Sequence, residues 1–129
     1  MSGVQRVRPA PGDEATIEVT VTEEMLVDLG GRRIHPLYAT AAMVRHVEEA
    51  GRMLVEPHFR EGEDATGYAI SVVHERPARL GERLTVLARA TRVDARECEA
   101  EVEVRGAAGV VGRGTLVQRY IEAGRFDGG

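Results

Sequence analysis

One stretch, Ile34 to Val55 (IHPLYATAAMVRHVEEAGRMLV), carries the single long helical pattern in the chain, while the other apolar runs alternate. A chain with one long helix and several half-buried strands must dry its sheet against that helix. Pro36 disfavours helix for the residue before it, so the helix starts after Pro36, with Thr40 as its N-cap or in its first turn. Ala39, Ala41, Ala42, Ala50 and Gly51 are small enough to let it lie close to a neighbouring surface. Gly51 costs about 1 kcal/mol of helix propensity relative to Ala, which predicts a packing reason for it.

On a helical wheel Thr40, Met43, Val47, Ala50 and Leu54 share one face. Arg45, Glu49 and Arg52 fall opposite, with His46 and Met53 nearer that wet side. Glu48 sits at the border, on the flank of Leu37, Val44, Gly51 and Val55. A carboxylate bordered by apolar side chains loses water, its pKa rises, and it becomes a candidate general base. The ordinary alternative is a solvated Glu48 paired with Arg45 or Arg52.

Around this helix the chain reads as strands. Thr16 to Thr22 alternates, with Ile17, Val19 and Val21 on one face. Met25, Leu26, Val27 and Leu29 predict one short helical turn stopped by Gly30 and Gly31, a lid or a connection tucked onto the core. After the helix, 56–65 is a polar loop. Gly67 to Arg76 is a strand with Tyr68, Ile70, Val72 and His74 on one face. Arg83 to Val93, Glu97 to Arg105 and Val110 to Ile121 follow through short turns, and so form an antiparallel meander. In the second of these Cys98, Ala100, Val102 and Val104 point in and four Glu point out, an acidic, solvated face. Gly112 and Gly114 share a face with Leu116, which predicts a close neighbour, with the helix as the obvious partner. The expected organisation is a tail over 1–14, one domain over 15–122 and a tail over 123–129. Its class is α+β, a five-stranded antiparallel sheet wrapped around one central helix, the hotdog arrangement. One helix leaves a sheet edge and a helix flank uncovered, so a homodimer or higher homo-oligomer is expected.

Composition removes several function classes. The 129 residues carry a net charge of −4 and no basic cluster with interleaved aromatics, so no nucleic-acid partner is expected. All 17 basic residues are Arg, which excludes a Schiff-base lysine and the P-loop lysine. Cys98 is the single cysteine, which suits a reducing cytoplasm. No signal-peptide pattern opens the chain, and no apolar run approaches the roughly 20 residues of a membrane span. His35, His46 and His58 fall in no zinc spacing, and neither a GxSxG elbow nor a Walker A loop occurs. Neither a metal nor a separate cofactor is expected.

Three polar residues stand out together: Thr40, Glu48 and His74, with Gly67 opening the strand of the histidine. With the segments LYATAAMVRHVEEAG (37–51), GYAISVVHERPARLGERLTV (67–86) and VGRGTLVQRYI (111–121), the sequence resembles the fluoroacetyl-CoA thioesterase-like family of hotdog proteins. In that family a Thr ahead of the central helix, a Glu eight residues later and a His on the next strand form the catalytic set. The resemblance implies those roles for Thr40, Glu48 and His74, and a matching place for Gly67. The fluoroacetyl-specific member has bulky aromatics before the helix, where this chain offers Leu29, Ile34 and no Phe. Thioester hydrolysis is implied; fluoroacetyl selectivity is not.

Geometry adds a constraint of its own. Eight residues of ideal helix separate Thr40 from Glu48 by about 12 Å and roughly 80°. One imidazole cannot meet both within a subunit unless Thr40 lies off the helix axis, so the site is expected to straddle a two-fold interface. Glu48 would activate water or attack directly; His74 would transfer a proton or hold the thioester oxygen. Thr40 would position water or carbonyl, and the Gly67 N–H is a candidate oxyanion donor. Arg32 and Arg33 could meet coenzyme A phosphates or form a solvated pair. The expected substrate is a small acyl thioester of coenzyme A or of a carrier protein. The competing readings are a non-catalytic hotdog module that binds such a thioester, and a hydratase, for which no paired Asp/His signature is visible.

Overall fold

The computed structural model describes residues 8–126. Five strands form one antiparallel sheet: β1 (Glu14–Thr20), β4 (Glu63–His74), β5 (Arg83–Val93), β6 (Glu97–Gly106) and β7 (Gly109–Glu122), in the order β1-β5-β6-β7-β4. The helix α1 (Thr40–Val55) lies across it and touches all five strands. This is the hotdog arrangement that the alternation predicts. Met43, Val47, Ala50 and Leu54 of α1 are buried against Leu84, Val86, Val102, Val104 and Leu116 of the sheet. Burying each of the Met, Val and Leu side chains among these stabilises the fold by about 1.5–3 kcal/mol. Cys98 lies in the same core, where burial pushes its thiol up to about 11.

Two features of the segment before α1 differ from the sequence reading. The predicted short helical turn is a single 3₁₀ turn, Glu23–Met25, and a separate hairpin follows it, β2 (Leu26–Leu29) with β3 (Arg32–Tyr38). Gly30 and Gly31 turn that hairpin with φ of +61° and +79°, a turn rather than a helix stop. The hairpin buries Leu26 and Tyr38, and Tyr38 N–H donates to the Ala78 carbonyl at 2.8 Å.

Close approach explains the glycines of the helix and of β7. A Cβ on Gly51 would collide with Leu116, and the Gln118 amide donates to the Gly51 carbonyl at 3.0 Å. Gly112 meets Met43 of α1 as expected, but a Cβ on Gly114 would strike the Ser71 carbonyl of β4. Its close neighbour is therefore the adjacent strand, not the helix.

The acidic, solvated outer face expected of β6 is laced with arginines into an Arg–Glu lattice. Glu101 meets Arg89, Glu97 and Glu99 meet Arg92, and Arg119 reaches Glu97 at 2.6 Å. Of the expected tails, 1–7 and 127–129 lie outside the described residues. Arg8 holds Glu63 through two 2.8 Å bonds, and Gly12 N–H donates to the Ala90 carbonyl at 2.7 Å. No helix among the described residues is long and apolar enough to cross a membrane.

Candidate active site

Thr40 is the first residue of α1, and His74 the last of β4. Ala39, not Thr40, is the N-cap, and no side chain caps the helix there. The Thr40 hydroxyl is therefore left for His74, and Oγ1 lies 2.9 Å from Nδ1. The other ring nitrogen, Nε2, is buried with no hydrogen-bond partner among the described residues. Burial lowers the His74 pKa, with a weaker opposing pull from the Arg76 backbone, so the ring is neutral near pH 7. Leu37, Tyr38 and Pro77 complete a cleft of about 310 Å³ around this pair.

Glu48 and Gly67 meet elsewhere on the same chain. A Cβ on Gly67 would fall 2.6 Å from Glu48 Oε2, so the glycine makes room for the carboxylate. This contact depends on a bulge in β4. Gly67 pairs with Gln118 and Ala69 with Val117, which leaves Tyr68 as the extra residue. An odd spacing of seven would set Gly67 and His74 on opposite faces; the bulge returns both to the helix side. It also removes Tyr68 from the Ile70, Val72, His74 row in which alternation placed it. Tyr68 instead lies under the Arg119 guanidinium, 3.5 Å from its ring centre.

The expected drying of Glu48 is not present in the single chain, where its side chain is exposed. The cause is strand order. β4 is an edge strand, so among the described residues no further strand lies beyond it to cover that flank of the helix. The expected arginine partners are also engaged elsewhere: Arg45 pairs with Glu49 at 3.6 Å, and Arg52 with Glu56 at 3.0 Å and Asp64 at 2.6 Å. Glu48 thus faces a cleft of about 410 Å³ with Thr66, Gly67 and Leu116, and it is in no ion pair with a described arginine, although Arg45 and Arg52 line the same cleft.

The chain therefore holds two separate pairs, Thr40 with His74 and Glu48 with Gly67, and no described residue lines both clefts. The remaining predicted residues lie in neither cleft. Leu29 and Ile34 are 66% and 36% exposed on the β2–β3 hairpin. Arg32 and Arg33 are exposed beside them, Arg33 reaching the Glu23 carbonyl at 3.4 Å.

A buried pair next to the site escaped the sequence reading. His46, placed near the wet side by the wheel, is only 6% exposed, and its Nδ1 lies 2.6 Å from the Tyr38 hydroxyl. The rings stack at 2°, and the Tyr38 ring also stands edge-on to His74 with centroids 6.0 Å apart. Tyr38 is thus a shared wall between His46 and the Thr40–His74 cleft. No periodicity announces the pair, because Tyr38 reaches α1 from a strand outside it.

The sequence profile of the fluoroacetyl-CoA-specific thioesterase family, FlK, matches residues 21–123. The chain belongs to this family. Its fold is shared with solved thioesterases. A Thermus thermophilus protein described as a thioesterase superfamily member is 35% identical, with 88% of this chain and 84% of that one covered and a TM-score of 0.83. A structure of the fluoroacetyl-CoA thioesterase FlK is 24% identical over 91% of each chain, with a TM-score of 0.85. A hot-dog-like protein from Thermanaerovibrio acidaminovorans is 17% identical over 89% of this chain and 85% of that one, with a TM-score of 0.81. No protein of curated function matches the sequence significantly. All four residues of the two pairs fall inside the span matched to the FlK family.

Proposed function

We propose that this FlK-family member hydrolyses a small acyl thioester of coenzyme A at a site shared by two copies of the chain. The observation that carries the reading is the placement of the half-sites. Gly67 with Glu48, and His74 with Thr40, sit toward the two ends of one edge strand. With Tyr68 bulged out, antiparallel pairing of two β4 strands about Ser71 would set Gly67 opposite His74 of the partner subunit. The same pairing would cover Tyr68, Ile70 and Val73, which are 57%, 38% and 59% exposed in one chain. It would also take Glu48 out of water.

The chemistry follows from the groups assembled. Glu48 takes a proton from water as the oxygen adds to the thioester carbonyl. The developing oxyanion is met by the Gly67 N–H, which the missing side chain leaves open. With the Thr40 hydroxyl donating to Nδ1, the His74 proton sits on Nε2, free to donate to the thioester. The C–S bond then breaks and the thiolate leaves protonated. Coenzyme A enters only as part of the substrate, and water is the sole co-reactant. Leu29 and Ile34 are the proposed contacts for the acyl group. A structure of a FlK variant, 25% identical to this chain, holds fluoroacetate and CoA, which supports a small acyl group.

Thiol release over a panel of short acyl-CoAs tests the activity. Glu48→Gln and His74→Ala are each expected to lose about 100- to 10,000-fold in rate. Mixing the two dead variants then tests the shared site. A heterodimer holds one intact Glu48 with one intact His74, so random exchange restores about a quarter of wild-type activity. No restoration after verified exchange argues for a site within one subunit. Binding of an acyl-CoA without thiol release favours the non-catalytic module.

A further inference from the structure

Among the described residues four arginines are half-buried: Arg8, Arg52, Arg76 and Arg119. Three of them sit in ion pairs, Arg8 with Glu63, Arg52 with Glu56 and Asp64, and Arg119 with Glu97. Arg76 differs. Its guanidinium is in no ion pair and no hydrogen bond with a described residue. The neighbouring carboxylate, Glu75, is held by Arg113 at 2.9 Å. A half-buried cation has given up water without a counter-charge in return, which marks a place where an anion is to arrive.

That place is the Thr40–His74 cleft, which Arg76 lines with Leu37, Tyr38 and Pro77. The backbone of the arginine is held there. Its N–H donates to the Val111 carbonyl at 3.2 Å, and Pro77 keeps the residue before it extended. β4 ends at His74, so Arg76 lies past the strand that the proposed pairing of two subunits would cover.

Distance decides which anion fits. A cleft of about 310 Å³ is roughly 7 Å across, whereas a pantetheine arm, about as long as four extended residues, spans roughly 14 Å. With the thioester carbonyl at His74, the phosphates of coenzyme A lie outside this cleft. Arg76 is two residues from His74, at most about 7 Å along the chain. An anion so near the carbonyl belongs to the acyl group itself.

We propose that Arg76 selects an acyl group that ends in a carboxylate, the half-thioester of a short dicarboxylic acid. The guanidinium takes the free carboxylate, His74 and Thr40 hold the thioester end, and Leu37 and Tyr38 flank the methylenes between. The inference rests on the thioesterase reading and narrows its substrate class.

The test uses two matched pairs of thioesters, malonyl with propionyl and succinyl with butyryl, in which a methyl group replaces the carboxylate. Each is made on coenzyme A and on N-acetylcysteamine, which lacks the phosphates. Wild type should favour the carboxylate-bearing member of each pair at least about tenfold in kcat/KM. Arg76→Gln should remove that preference and Arg76→Glu should reverse it, on both thiols. Arg79→Gln, at an exposed arginine outside the cleft, should keep it. The proposal is overturned if wild type shows no such preference. It is equally overturned if Arg76→Gln depresses both members of a pair alike, as a contact with Glu48 of the partner subunit would, or if the loss is confined to the coenzyme A thioesters, as a phosphate contact would give. Should wild type hydrolyse none of the thioesters, the hydrolase reading fails, and calorimetric binding of the intact pairs to the same proteins decides the role of Arg76 by the same ratio.

Discussion

The Thr40 hydroxyl stands 2.9 Å from Nδ1 of His74, so one hydrogen bond joins the start of α1 to the end of β4. In the proposed mechanism the hydroxyl donates in this bond, which places the ring proton on Nε2. Thr40→Ser keeps the hydroxyl and should retain activity within about threefold. Thr40→Ala loses one hydrogen bond, which corresponds to a fall of roughly tenfold in kcat. Steady-state kinetics on the same acyl-CoA separate the two. Equal rates in both variants would mean that the hydroxyl has no part in orienting the imidazole.

Two glycines on neighbouring strands should respond in opposite ways to the same substitution. A Cβ on Gly67 meets only the end of the flexible Glu48 side chain, at 2.6 Å. Gly67→Ala should therefore fold normally while the carboxylate is pushed aside and activity falls. A Cβ on Gly114 strikes the Ser71 backbone, which cannot move without breaking the β4–β7 ladder. Gly114→Ala should cost about 3 kcal/mol, a Tm drop of roughly 10 °C. Thermal unfolding and thiol release on the two variants give the comparison. A stable Gly114→Ala protein would show that the strands can separate more easily than their pairing implies.

Tyr38 and His46 bond at 2.6 Å in a buried setting, so removing one partner strands the other. Tyr38→Phe should cost about 1–3 kcal/mol, because the imidazole keeps its desolvation penalty without its hydroxyl. His46→Leu should likewise leave the tyrosine hydroxyl unpaired. The double variant removes both polar groups and should recover most of the loss, giving a large coupling in a double-mutant cycle. Additive losses, measured by urea unfolding, would mean that the bond contributes little. Because Tyr38 also walls the His74 cleft, Tyr38→Ala should depress activity further than Tyr38→Phe.

Local pattern reveals most of this fold and only part of its site. The alternation of Cys98, Ala100, Val102 and Val104 with four glutamates leaves one orientation for β6, and the long apolar stripe of α1 supplies the one surface to cover it. The β2–β3 hairpin is hidden because Pro36 and two glycines interrupt a short apolar run, which reads equally as a helical turn. The bulge at Tyr68 has no local signal, since it appears only in the pairing of β4 with β7. Strand order is equally nonlocal. A helical wheel places Glu48 beside apolar residues, but whether anything covers that flank depends on β4 being an edge. His46 fails for the mirror reason: the tyrosine that buries it comes from another element.

The two histidines near the site carry a pH dependence of stability with a definite sign. Burial lowers the pKa of His74, and it lowers that of His46 as well, against Glu49, which pulls the other way. A folded-state pKa below the unfolded 6.5 means that the unfolded chain binds protons first as pH falls. Their stabilising contribution is complete above about pH 6.5 and drains away as pH drops through the folded-state values. Carboxylates such as Glu63, held low by its Arg8 bonds, lose their own contribution only below their ordinary 4.5. Tm measured between about pH 7.5 and 5 should therefore fall from the histidines alone. The Tyr38→Phe/His46→Leu variant removes one of them and should show a shallower fall over the same range. An identical slope in wild type and variant would show that His46 is not held neutral by its burial.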